Sequence, residues 1–183
     1  MGRPVAALSL ALVAASELWR SQYAFRADDV PFGLLLALAA AGFGLAAARV
    51  HAWPSRALVV GLVLATASFA LRLPLVAKFG VPGLLTAALA AFGAGWAALA
   101  AWEAVRMTDA GLEVSPAVMR RGLILVGLSY VSLIYGALSA LPWGRAAPLV
   151  LSYVACLVGV ATFAVWGRDP KPTAAAAWIR RGA

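Results

Sequence analysis

Residues 32–49, FGLLLALAAAGFGLAAAR, and residues 57–77, ALVVGLVLATASFALRLPLVA, decide the fold class. Each is apolar for about the length a helix needs to cross a hydrocarbon core roughly 30 Å thick. Neither shows the two-residue alternation of a barrel strand. Working outward, residues 83–102, 122–141 and 147–166 read the same way, and residues 3–19 form a shorter run of the same kind. In lipid every backbone polar group must be satisfied within its own segment, so spans of this length are helices. The sequence therefore predicts an all-α, polytopic membrane helix bundle with six transmembrane helices. One domain would cover residues 1–168, followed by a short basic tail at 169–183.

Composition supports that class. Of 183 residues 64% are hydrophobic and 12% charged, outside the range of globular domains. The formal charge is +8. In a soluble protein this would suggest nucleic acid, but here the basic residues sit at span ends, where they meet lipid headgroups and set orientation. Membrane lipids are thus the expected partners, and no nucleic acid is expected. Arg3, Arg49, Arg56, Arg106, Arg120, Arg121, Arg168, Lys171, Arg180 and Arg181 fall on one side of the spans. Arg20, Arg26, Lys78 and Arg145 fall on the other, with Arg72 just below it. The positive-inside bias puts both termini in the cytoplasm. The many Ala and Arg codons hint at a GC-rich genome, and the expected location is a prokaryotic cell membrane. For the first segment a cleaved signal peptide competes with a retained helix. Its basic region is a single arginine, and Trp19, Tyr23 and Phe25 continue it as an interfacial belt.

The inventory of reactive side chains argues against enzyme chemistry. There is one histidine, His51, in a short loop, and one cysteine, Cys156, within the sixth span; asparagine is missing. A bis-histidine haem or a zinc site needs more ligands than these, so no cofactor or metal is expected. No G-x-S-x-G or His-Glu-x-x-His motif and no carboxylate pair lies within a span. The carboxylates Glu17 and Glu103 fall near span ends rather than at the midplane where proton-coupled transport commonly places one.

What remains is a small set of polar residues at membrane depth. Arg72 follows Arg56 by sixteen residues, about 24 Å along a helix. Glu17 is expected at a similar depth, so a Glu17–Arg72 pair is allowed; the alternative is an arginine snorkelling to the outer headgroups. Arg20, Gln22, Tyr23, Arg26, Asp28 and Asp29 read as an outer loop. The fifth span is rich in tyrosine and serine, with Tyr130, Ser132 and Tyr135, and Ser129, Ser132 and Ser139 lie along one face. The candidate binding residues are therefore Glu17, Arg20, Arg72, Tyr130, Ser132 and Tyr135. Pro74 is expected to kink or end the third helix. On the inner side Glu103 and Arg106, three apart, are expected to pair, and Asp109-Ala110-Gly111 reads as a turn. Glu17–Arg20 and Glu103–Arg106 each close the first span of a three-span half, the spacing an inverted repeat would give.

Small residues recur at helical spacing: Ala7, Ala11, Ala14 and Ala15; Gly33, Ala37, Ala40, Gly44 and Ala48; Gly61, Ala65 and Ser68. Such stripes let helix backbones approach within the bundle or against other membrane subunits. The span count, together with Ala7, Ala11 and Ala15, resembles the substrate-binding components of energy-coupling-factor vitamin transporters. That resemblance implies a solute-capturing bundle and carries over no binding residue. Two functions stay open. One is solute binding or transport across the membrane; the other is an accessory or structural subunit of a larger membrane complex.

Overall fold

The computed structural model describes residues 2–113, 124, 127–128, 130–131, 133–139 and 143–166. The described residues are all-helical, with no strand. Helices α1 (Gly2–Arg26), α2 (Val30–Arg49), α3 (Arg56–Val76) and α4 (Gly80–Asp109) follow one another through short corners. A fifth, α5, is helical over residues 133–139 and at Ile124, Gly127, Leu128, Tyr130 and Val131; α6 spans Trp143–Trp166. Two stretches, Val30–Ala52 and Arg56–Asp109, are long and apolar enough to cross a membrane. The basic tail and Ser132 lie outside the described residues.

Local chemistry sets the corners. Residues 20–26, expected as an outer loop, instead continue α1, and the real corner is only Ala27–Asp29. There the Asp29 N–H donates to the Ala24 carbonyl and the Asp28 N–H to the Phe25 carbonyl, with Asp28 at φ +57°. This is the Schellman termination, which needs one left-handed residue. Asp29 then caps α2 by accepting from the Phe32 N–H, and Pro31 occupies the first turn, where a missing donor is harmless. The far end of α4 closes in the same way: Leu112 N–H donates to Met107 O and Gly111 N–H to Thr108 O, with Gly111 at φ +70°. The turn expected at 109–111 is thus found. Ser55 caps α3 by accepting from Leu58 N–H at 3.2 Å. Pro74 lies inside α3, which runs two residues past it before a 3₁₀ turn at Ala77–Phe79. The expected Glu103–Arg106 pair is not among the ion pairs of the described residues. Asp109 takes Arg56 at 2.9 Å instead, tying α3 to α4.

Short corners link α1 to α4 in up-and-down order. Helices α1 and α2, α2 and α3, and α3 and α4 pack pairwise, and α6 packs back against α1. Gly136 of α5 meets Thr86 of α4, and Gly127 faces Leu157 of α6, which places α5 between them. All six contribute to one core: Val13, Ala39, Phe43, Ala65, Phe69, Ala90, Ala94, Tyr130, Leu133, Ala137, Leu149 and Tyr153. The outer surface is apolar as well, with Leu8, Leu12, Leu34, Val60, Phe92, Trp96, Leu99 and Leu151 exposed.

The tightest contact is between α2 and α3. A Cβ at Gly42 would stand 2.6 Å from the Gly61 carbonyl oxygen, and one at Gly61 the same distance from the Gly42 carbonyl. The α3 stripe of Gly61, Ala65, Ser68 and Arg72 is buried as expected. The α2 stripe is found in part: Gly33 and Ala40 are buried, along with Leu36, Ala39, Gly42, Phe43, Ala46 and Ala47, whereas Ala37 and Gly44 are half-buried and Ala48 is exposed. In α1 the buried row is Ala6, Ser9, Val13, Glu17, Ser21 and Ala24, and Ala11 and Ala15 face outward.

Candidate functional site

Helix α1 presents a residue inward every three or four positions, and Glu17 occupies one of them, fully buried. An isolated carboxylate in such surroundings would be untenable, and this one is surrounded by donors. Arg72 of α3 reaches its Oε2 from Nη2 at 3.0 Å. Arg20, one turn on along α1, reaches Oε1 at 3.1 Å. The Tyr153 hydroxyl of α6 donates to the same oxygen at 3.1 Å and sits 3.4 Å from the Arg20 guanidinium.

Arg72 is held by more than its countercharge. Its Nη2 also donates to Ser68 Oγ at 3.1 Å, one turn earlier in α3, and to the Leu35 carbonyl of α2 at 3.2 Å. Its guanidinium carbon lies 4.7 Å from the Phe69 ring centroid, a cation–π distance. Among the described residues, the buried Nε of Arg72 has no hydrogen-bond partner. Arg72 is 4% exposed, which excludes the snorkelling alternative. The cluster therefore joins side chains of α1, α3 and α6 with backbone of α2 in an otherwise apolar interior.

Charge–charge attraction alone does not make such a cluster stabilising, because desolvation offsets most of it. Removing one member is costly, since the others then remain buried without partners. The arrangement can hold helices in register, or it can present fixed donors to something that enters between them.

No protein-family model, curated protein or solved structure matches this chain.

The candidate residues divide as follows. Glu17, Arg20 and Arg72 come together. Tyr130 is buried in the core that also holds Tyr153. Tyr135 is 55% exposed and points away from that core. Ser132 lies outside the described residues. Sequence reasoning missed Tyr153 altogether, and it read Ser68 as a packing residue and one of a sparse set of polar residues within the spans, not as a partner of Arg72. The signal for Ser68 was its i−4 spacing to Arg72. The signal for Tyr153 was a tyrosine hydroxyl in the apolar run 147–166, beside Ser152. The two Glu-x-x-Arg turns are not equivalent: Glu17 is buried in the cluster, whereas Glu103 and Arg106 are exposed.

Beyond the cluster, an apolar groove of about 620 Å³ runs along the outside of α3 and α4, lined by Val63, Thr66, Phe92, Gly95, Trp96 and Trp102 among others. Among the described residues no group of His, Cys, Asp and Glu has the makings of a metal site.

Proposed function

We propose that this chain is a multi-pass integral membrane protein with six transmembrane helices and cytoplasmic termini. We further propose that it binds or transports a solute through the cluster around Glu17. The membrane assignment is supported by an inside-out distribution: leucines, valines and tryptophans cover the exterior while a glutamate and an arginine lie inside. Helices apolar on every side suit a lipid surround. The imbalance of Lys and Arg between the two sides supports the orientation. A prokaryotic cell membrane is the proposed location.

The observation that carries the solute reading is the cluster itself. Intramembrane ionisable residues are costly and mark binding or transport sites by default. Here they are fixed by neighbours on four helices, as a site for a polar group requires. The test is native mass spectrometry of the intact protein released gently from its own membrane. A reproducible small-molecule mass on the bundle is expected, and it should disappear in Arg72→Leu protein that retains its fold.

The groove on α3 and α4 favours a second reading, an accessory subunit whose partner helix lies along Gly95 and between Trp96 and Trp102. The same spectrum separates the two, since a stoichiometric protein partner would replace the small-molecule adduct.

A further inference from the structure

The Glu17 cluster holds two guanidiniums and one carboxylate, a formal excess of one positive charge. Among the described residues no other carboxylate lies within ion-pairing distance of either arginine. Both Glu17 oxygens are already engaged, Oε1 by Arg20 and Tyr153 and Oε2 by Arg72. Among the described residues, the almost wholly buried Arg72 has no acceptor for its Nε–H. The Arg20 side chain is 30% exposed, so the cluster has one edge open. Arg20 is six residues from the end of α1, about 9 Å along the helix. The excess positive charge thus sits at the open edge, on Arg20, and the spare donor is on the buried Arg72, so the cluster has a place for one acceptor.

We infer that this cluster is an anion site, and that the solute taken by the bundle carries a carboxylate or phosphate that docks between Arg20 and Arg72. The inference rests on the solute-binding reading and adds the chemical class. The anion accepts from the guanidinium donors left over by Glu17. Glu17 competes with it and so limits how tightly it is held. Tyr153 keeps its proton on the Glu17 side.

The experiment is thermal unfolding of the intact protein in detergent micelles, titrated with sodium acetate, sodium phosphate and sodium chloride. A midpoint rise that saturates with acetate or phosphate is expected, and saturation with chloride alone overturns the class. General salt effects change the midpoint without saturating. In Arg20→Gln protein, where the cluster is formally neutral and the Glu17–Arg72 pair intact, the saturating component should vanish. In Glu17→Gln protein, where the excess becomes two charges, the half-saturating concentration should fall roughly tenfold or more. A rise that does not saturate, or that is unchanged in Arg20→Gln protein, overturns the inference. Saturation by added phosphatidylglycerol but by no free anion overturns it in favour of a lipid headgroup. A neutral small molecule retained in the native mass spectrum of Arg20→Gln protein would overturn the anion class while leaving solute binding standing. A bare bundle with no anion response removes both.

Discussion

Glu17 accepts from three donors on two other helices and its own, so its loss is felt by all of them. Glu17→Gln leaves two guanidiniums facing each other in the interior, and we expect it to cost about 3–5 kcal/mol of stability. The double change Glu17→Gln/Arg72→Leu leaves only Arg20, which has an exposed edge, and should lose less than Glu17→Gln alone. Thermal midpoints of the two variants in one detergent check the ordering; a double variant no better than the single would mean that the charges do not interact. Tyr153→Phe removes one neutral donor and should cost about 1 kcal/mol. The Glu17–Arg72 encounter was legible because counting residues along a span gives depth. Rotation about the helix axis is not given by counting, and this is where the fifth span misled. Tyr130 and Tyr135 are five positions apart, about 140° of helical rotation, so with Tyr130 buried Tyr135 faces outward.

Between elements, the crossing of α2 and α3 decides how close the Arg72 and Leu35 backbones come. Gly61→Ala would gain about 1 kcal/mol from helix propensity in open surroundings. Here its methyl meets the backbone of Gly42 and Ala46, and we expect a net loss of about 1–3 kcal/mol. Gly44→Ala is the control: its added Cβ would be 3.9 Å from Ala14, ordinary contact, and should be neutral or stabilising. Alanine is so frequent in α2 that several faces read as small-residue stripes, and only the partner helix selects one of them. The loop after α1 was expected at residues 20–29 and is shorter than that for a different reason. Its left-handed position is held by Asp28, not glycine, so the usual stop signal was missing. Asp28→Val should lower the midpoint because a β-branched side chain resists that conformation, whereas Asp28→Gly should not.

For the molecule as a whole, the all-helical class and the order of α1 to α4 and α6 were readable from hydrophobic length, since each of those runs falls on a described helix. What hydropathy does not contain is the way α6 returns to α1. Orientation is checked by single cysteines in a Cys156→Ser background. One at Ala27 should react with an impermeant thiol reagent in intact cells, and one at Ala110 should not; the reverse pattern would invert the topology. The closure of α6 on α1 also sets a timetable for synthesis. With the proposed membrane topology, a ribosome delivers Glu17 to the bilayer 55 residues before Arg72 and 136 before Tyr153. Until then its only companion is Arg20, one turn away on the same helix. A nascent chain stopped after the second helix therefore carries a carboxylate whose distant partners have yet to be translated. Chains stopped after the third and then the sixth should resist extraction and proteolysis in two distinct steps.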